Sequence, residues 1–233
     1  MADNGAPVVL ITRPTHQAER FAAQCQSALP VPVETRITPL QTIELTPEIP
    51  AFEGVGGMIL TSENALMACP KDLGLPAFCV GERTTEAAQS WGLNAVCAGR
   101  DAEELVAQLP GLAPPTPLVH LHGLHTRGAV AERLSKAGLE ARGAVVYHQT
   151  AIAPPPDLTS QLDGRAVLAP LFSPRSAALF EAALGPLSEN WHLLCLSSAV
   201  ASALPAEWQK QVKIAAEPTA TAIISLIAQH ISP

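Results

Sequence analysis

The chain has 233 residues, of which 48% are hydrophobic and 15% charged, so it suits one large or two small folded domains and is not disordered. Its net charge of −7 at pH 7 and the lack of a basic stripe argue against nucleic acid as a partner. No apolar run is long enough to cross a membrane, and no basic stretch precedes an apolar one as in a secretion signal.

Five cysteines are scattered along the chain rather than grouped. Their number is odd, and their spacing matches neither a disulfide framework nor a zinc site. We therefore expect reduced structural thiols, no bound metal and a cytoplasmic location. The cysteines are Cys25, Cys69, Cys79, Cys97 and Cys195.

The first elements alternate between strand and helix patterns. Val8–Ile11 is an apolar run that predicts a strand, and residues 15–29 carry apolar side chains at helical spacing. Two prolines end this helix, and residues 31–37 predict a second strand. Residues 39–45 alternate apolar and polar side chains, which is typical of an exposed strand or connector.

The next strand, Gly57–Leu60, ends in the small polar residues Thr61-Ser62-Glu63-Asn64-Ala65. Such side chains favour a helix N-cap, so we predict a helix here, whose free N–H groups and dipole favour an anion. Near the other end, Ala166–Ala169 leads to Ser173-Pro174-Arg175-Ser176-Ala177, with proline at a favoured first-turn position. Two such helix starts suggest a ligand held between two similar halves.

The rest of the chain repeats a short strand, a polar turn and a helix. The predicted strands lie at 77–80, 95–97, 118–121, 140–150, 192–196 and 212–215. This alternation predicts α/β units with parallel sheets.

The units also repeat. Residues 7–45 and 118–151 form one kind of unit, with a strand, a polar turn, a helix and a long strand. Residues 57–109 and 166–231 form the other kind, with three strand-turn-helix steps. Each domain should need one unit of each kind. Tandem and nested pairing both satisfy this requirement, and periodicity leaves the choice open.

The turn motifs occur in an order that is similar to that of a known family. They are Leu10-Ile11-Thr12-Arg13-Pro14, Leu60-Thr61-Ser62-Glu63-Asn64-Ala65, Val80-Gly81-Glu82-Arg83-Thr84, Val146-Tyr147, Phe172-Ser173-Pro174-Arg175-Ser176-Ala177 and Glu217-Pro218-Thr219. On these motifs, which cover nearly the whole chain, it resembles the uroporphyrinogen-III synthase family.

The resemblance implies two similar parallel-sheet, flavodoxin-like α/β domains that are joined by a two-stranded β connector, with the active site in the cleft. It selects the nested pairing, because the family's first domain takes both chain ends. The implied domains are residues 1–37 with 154–233, and 47–144. The implied connectors are 38–46 and 145–153.

The resemblance also implies a reaction in haem biosynthesis. The family cyclises hydroxymethylbilane, a linear tetrapyrrole polycarboxylate, with loss of water and inversion of ring D, to give uroporphyrinogen III. No metal or cofactor takes part, and the implied protein is a cytoplasmic monomer without a nucleic-acid or membrane partner. Because uncatalysed closure gives the wrong isomer, the enzyme must mainly hold its substrate in a reactive fold.

A general acid must help the hydroxyl group of the substrate to leave. Tyr147, the only tyrosine in the chain, matches the family's connector tyrosine and is the implied catalytic residue. The alternative is an amphipathic aromatic at a domain junction, with its hydroxyl group in water. Since a bound water could replace a tyrosine acid, we do not expect Tyr147→Phe to abolish activity.

The implied substrate-binding residues lie at the strand-to-helix turns, where N–H groups and cations could pair with carboxylates. They are Arg13, Thr61, Ser62, Asn64, Gly81, Thr84, Gly123, Arg127, Ser173, Pro174, Ser176, Ser197, Ser198 and Thr219. The alternative is plain helix capping for the hydroxyl groups and a solvated surface position for the arginines, including Arg175. His120, His122 and His125 lack an acidic or Cys partner nearby, so we favour a role other than metal binding.

One turn departs from the family pattern. Where the family has a glycine followed by paired hydroxyl residues, this chain has Leu196-Ser197-Ser198-Ala199-Val200-Ala201, and Ser197 and Ser198 could cap the helix one turn earlier. The departure leaves a second function open: a non-catalytic two-domain binder of a small polyanionic ligand, which would not need Tyr147. A nucleotide-binding protein is disfavoured because no Gly-rich fingerprint follows a strand.

Overall fold

The computed structural model describes residues 6–71, 73–125 and 128–231. The strands of this part of the chain are β1 Val8–Ile11, β2 Glu34–Ile37, β3 Gln41–Leu45, β4 Gly57–Leu60, β5 Pro76–Val80, β6 Asn94–Gly99, β7 Leu118–Gly123, β8 Ala141–Ala151, β9 Val167–Leu171, β10 Trp191–Cys195 and β11 Val212–Ile214. Its α-helices are α1 Thr15–Ala28, α2 Glu82–Trp91, α3 Ala102–Gln108, α4 Val130–Lys136, α5 Leu158–Gln161, α6 Pro174–Leu184, α7 Ser198–Ala201 and α8 Ala220–Ile231. Three 3₁₀ segments complete the described elements: Glu63–Ala68, Leu109–Leu112 and Ala206–Gln211.

The chain divides into two compact units. We call Met1–Thr42 with Thr150–Pro233 the first unit and Ile43–Gln149 the second unit. The sheet of the first unit has the strand order β2-β1-β9-β10-β11, and its neighbouring strands are parallel. This is the flavodoxin-like order 2-1-3-4-5.

Both faces of the inner strands β1 and β9 are buried, which explains their continuous apolar runs. Successive side chains of a strand point to opposite faces. Val8 and Leu10 therefore join a cluster with residues of α6, whereas Val9 and Ile11 join a cluster with residues of α1 and α8. The predicted amphipathic helix is confirmed as α1, which buries Ala18, Phe21, Ala22 and Cys25.

The second sheet has the order β3-β8-β7-β4-β5-β6, and β4, β5, β6, β7 and β8 pair in parallel. The order β8-β7-β4-β5-β6 repeats that of the first sheet, but its two-strand part follows its three-strand part in the chain. The prediction of an α/β fold with parallel-sheet domains is confirmed.

Two predicted helices are shorter than expected. The residues after Thr61 form the 3₁₀ segment Glu63–Ala68 rather than an α-helix, because Pro70 forces the preceding residue out of the helical conformation and leaves only a short piece. The helix expected after Ser197 and Ser198 is only the four-residue α7, which ends at Ala201. None of the described helices is long and apolar enough to cross a membrane.

Candidate functional site

In the second unit, four adjacent strands carry the predicted residues at one edge of the sheet. Tyr147 lies in β8 opposite Gly123, the last residue of β7. Thr61 follows β4, and Gly81 follows β5. Since the carboxyl ends of parallel strands meet at the same edge, this is where an open α/β sheet binds ligands.

Thr61 is held by a histidine that the sequence did not connect to it. The Thr61 Oγ1 atom lies 3.1 Å from His120 Nε2. Ile59 pairs with His120 in the β4–β7 register, so the residue two positions after Ile59 faces the same side of the sheet. His120 is only 2% exposed. This buried histidine therefore supports the turn after β4 through its contact with Thr61.

Burial, together with the smaller effect of the neighbouring His122, lowers the pKa of His120 to about 3. The two imidazole rings lie with their centroids 4.8 Å apart. His122 is half-buried, and its Nδ1 atom is 2.9 Å from the Gly123 carbonyl oxygen. At neutral pH, His120 is thus an uncharged hydrogen-bond partner of Thr61.

The turn after β4 caps its own short segment. The Asn64 backbone N–H donates to Ser62 Oγ at 3.3 Å. The Glu63 carboxylate accepts a 2.6 Å hydrogen bond from Arg83 Nη2 in α2. Ser62 and Asn64 therefore have a capping role here, and the charge of Glu63 has a cationic partner.

Gly81 occupies the N-cap position of α2 with a positive φ of 75°, a conformation that favours glycine. Its N–H donates to the Gly99 carbonyl at 2.8 Å, and the Thr85 hydroxyl donates to the Gly81 carbonyl at 3.0 Å. Thr84 is buried. No side chain caps α2, so its first-turn N–H groups are not used by a cap and could bind an anion.

Tyr147 packs directly against Gly123. The Tyr147 side chain is 7% exposed and belongs to the apolar core of the second unit. A Cβ atom built on Gly123 would lie 2.5 Å from Tyr147 Cε2 and 3.0 Å from its hydroxyl oxygen. The Leu124 N–H donates to the Tyr147 carbonyl at 3.0 Å. The hydroxyl end of the Tyr147 ring thus packs against Gly123, in the space that a side chain at position 123 would fill.

In the first unit, the turn after β9 is a complete capping box. The Ser176 N–H donates to Ser173 Oγ at 3.0 Å, and Ser176 Oγ accepts from the Ser173 N–H at 2.9 Å. Pro174 occupies the first turn and has no N–H. The box uses two donors that a carboxylate could otherwise have bound.

Arg13 is not a solvated surface residue, because it is only 9% exposed. Its guanidinium carbon lies 4.0 Å from the centroid of the Phe172 ring, and its Nη2 donates to Gln17 Oε1 at 2.9 Å. Phe172 also makes an edge contact with Phe21, at 5.0 Å between centroids. An aromatic face holds a cation without neutralising it, and sequence reasoning missed this role of Phe172.

The suggested cap at Ser197 is wrong. Ser197 takes the N-cap position of α7, but its side chain makes no cap hydrogen bond. The N–H of Val200, the usual partner of such a cap, donates instead to the Ser197 carbonyl at 3.1 Å. Ser198 is exposed. By contrast, Thr219 caps α8, since its Oγ1 accepts from the Ala222 N–H at 3.1 Å.

Arg127 lies outside the described residues. Within the described part of the chain, no three His, Cys, Asp or Glu side chains are grouped closely enough to hold a metal ion. All five cysteines are free thiols. Burial raises the pKa of four of them to about 12: Cys25, Cys69, Cys79 and Cys195.

A comparison with family models finds a match over most of the chain. Residues 17–225 match the family model described as uroporphyrinogen-III synthase HemD. The chain belongs to the uroporphyrinogen-III synthase family. The match supports an enzyme of haem biosynthesis, and nothing in the comparisons favours the non-catalytic binder.

One solved uroporphyrinogen-III synthase has a similar fold, and a second gives a weaker match. The enzyme from Helicobacter pylori 26695 is 16% identical, with a TM-score of 0.66 over 97% of this chain and 99% of that one. A mutant enzyme from Thermus thermophilus is 15% identical, with a TM-score of 0.49 over 96% and 98%. No curated protein matches the sequence. At these identities the structural likeness shows the fold alone, and the family model carries the assignment.

Proposed function

We propose that the chain is a lyase that cyclises hydroxymethylbilane, with loss of water and inversion of ring D, to give uroporphyrinogen III. The observation that carries the proposal is the family match over residues 17–225. The lyase class follows from the chemistry, because a C–O bond breaks and water leaves as the ring closes.

We propose that the two units act as the family's two domains, with residues 1–37 and 154–233 in one and residues 47–144 in the other. The compact units with boundaries near residues 42 and 150 support this division. The proposed connectors, 38–46 and 145–153, include all of β3 and most of β8.

The substrate carboxylates bind, in this proposal, at the carboxyl edges of the two sheets. The start of α2 is the strongest candidate, because Gly81 leaves the helix without a side-chain cap and Thr84 lies in its first turn. Arg13 is a second candidate, since Phe172 holds its guanidinium group in place without removing its charge. The remaining proposed contacts are Thr61, Ser62, Asn64, Gly123, Arg127, Ser173, Pro174, Ser176, Ser197, Ser198 and Thr219.

Tyr147 is the proposed general acid. Its phenol proton passes to the hydroxyl oxygen of the substrate while the C–O bond breaks, and the pyrrole that bears this carbon supplies the electron pair. Water leaves, and a pyrrole carbon of ring D attacks the electrophilic carbon. After ring D has inverted and the new C–C bond has closed the macrocycle, the bonded pyrrole carbon loses a proton, which restores the Tyr147 phenol. Two features support the choice: Tyr147 lies at the carboxyl edge of the second sheet, and its ring is fixed by close packing.

The product isomer tests the proposal directly. Purified protein is supplied with hydroxymethylbilane generated in situ, the products are oxidised, and type I and type III porphyrins are separated by chromatography. We expect type III to dominate, with a chelator present and no cofactor added. A product mixture equal to that of the enzyme-free control would refute the synthase function and favour a binding role.

We further propose a cytoplasmic monomer. The wide spacing of the five cysteines supports a reducing compartment. Sedimentation equilibrium at micromolar concentration tests the monomer, and a mass near twice 24.4 kDa would contradict it.

A further inference from the structure

The pairing of β7 with β8 is irregular at the catalytic tyrosine of the proposed function. Residues Leu118–His122 pair one to one with Ala141–Val145. The next pair is Gly123 with Tyr147, so Val146 is passed over and the register shifts. The shift places the tyrosine, rather than its neighbour, opposite the last residue of β7.

The tyrosine ring occupies the space in which a side chain at position 123 would lie. A Cβ on Gly123 would be 2.5 Å from Cε2, 2.7 Å from Cζ and 3.0 Å from the hydroxyl oxygen of Tyr147. These atoms form the hydroxyl end of the ring. Distances of this size are shorter than carbon–carbon contacts allow, so any side chain at position 123 would displace the phenol group.

The backbone of Gly123 does not itself require glycine. Its φ is not among the positive values of the described glycines, which include Gly81 and Gly128. Alanine could adopt the same backbone conformation without strain. The need for glycine at this position therefore comes from the tyrosine ring.

Packing, rather than hydrogen bonding, holds the phenol group. No hydrogen bond to the Tyr147 hydroxyl occurs among the residues that the structure describes. The peptide beneath it is held firmly, because the Gly123 carbonyl contacts His122 Nδ1 at 2.9 Å and the Leu124 N–H donates to the Tyr147 carbonyl. The ring thus lies against a fixed surface.

We propose that Gly123 is a positioning residue for Tyr147: its missing side chain sets where the phenol hydroxyl stands relative to the reacting substrate. The inference rests on the proposed function, in which Tyr147 donates the proton. In this inference Gly123 affects the reaction by positioning Tyr147, and not by contacting the substrate itself.

The test uses the fact that Tyr147 is the only tyrosine. Protein labelled with 3-fluorotyrosine has a single ¹⁹F resonance, which reports on this ring alone. Gly123→Ala should shift that resonance and lower kcat to the level of Tyr147→Phe, with KM changed less than about twofold. The double variant Gly123→Ala/Tyr147→Phe should be no slower than either single variant, since both remove the same function.

Gly111→Ala is the matched control, because Gly111 lies in the same unit and has nothing within 4 Å of an added Cβ. It should leave both the resonance and kcat unchanged. A Gly123→Ala protein with wild-type kcat and an unmoved resonance would overturn the proposal, as would a double variant that is much slower than both single variants.

If Gly123→Ala is too unstable for the activity assay, the loss of unfolding free energy that it causes in two backgrounds tests the contact with the ring. Adding Gly123→Ala to Tyr147→Leu, which removes the ring, should then destabilise the protein far less than adding it to the wild type. An equal destabilisation in both backgrounds would overturn the proposal. Failure of the proposed synthase function would appear as the absence of type III product from the wild type. The ¹⁹F shift would still test the contact between Gly123 and Tyr147, so the two failures can be told apart.

Discussion

Acid should destabilise the second unit through His120, and His120→Gln should remove this effect. The buried ring has a pKa of about 3 in the folded protein, compared with about 6.5 for an ordinary histidine in an unfolded chain. As the pH falls below about 6.5, the unfolded chain binds a proton that the folded chain does not. The stabilisation is therefore complete above pH 6.5 and is lost progressively towards pH 3.

The expected loss is about 2 kcal/mol of unfolding free energy between pH 8 and pH 5. In this window the carboxylates stay ionised, so their ion pairs contribute little to the difference. Glutamine is the chosen replacement because its amide can reach the position of Nε2 and keep the contact with the Thr61 hydroxyl, which is 3.1 Å in the wild type. It cannot titrate.

Urea unfolding of the 3-fluorotyrosine-labelled protein at both pH values provides the measurement, since the Tyr147 resonance follows the second unit alone. Between pH 8 and pH 5, the unfolding free energy of the wild type should fall by about 2 kcal/mol more than that of His120→Gln. His125→Gln, at an exposed position of the same unit, should behave as the wild type. Equal pH dependence in the wild type and His120→Gln would refute the reasoning.

Three further outcomes follow from other parts of the structure. Tyr147→Phe should lower kcat by about 100-fold or less, with type III still the main product, because a water can replace part of a general acid's contribution; an unchanged kcat would remove Tyr147 from the mechanism. Ser173→Ala should cost about 1 kcal/mol of unfolding free energy because it destroys a capping box, whereas Ser197→Ala, which loses no cap hydrogen bond, should cost less than about 0.5 kcal/mol. Equal losses in these two variants would contradict the assignment of the caps. Native protein at pH 8 should react rapidly with a thiol reagent at half-buried Cys97 alone, since burial keeps the other four thiols protonated. Peptide mapping identifies the modified cysteine, and fast reaction of a second one would contradict this prediction.

Local patterns in the sequence were sufficient for the elements and several caps. The apolar runs of Val8–Ile11 and Gly57–Leu60 are strands because each can bury both faces. The caps at Ser173 and Thr219 were also predictable, since a cap depends on residues only three positions apart. The lack of a cap at Ser197 was not predictable, because the Val200 N–H that would bind the Ser197 side chain donates to the Ser197 carbonyl instead.

The sequence by itself determined the kind of fold and the family: alternating strand and helix patterns demand parallel sheets, and the ordered turn motifs indicate the uroporphyrinogen-III synthase family. Periodicity left the order of the strands open, and the tertiary structure shows β1 between β2 and β9 rather than beside β4. It alone also brought His120 to Thr61 and set Tyr147 against Gly123. The physical reason is the same in each case: these contacts join residues that are far apart in the chain, and strand register and side-chain direction, which periodicity does not specify, determine which of them meet.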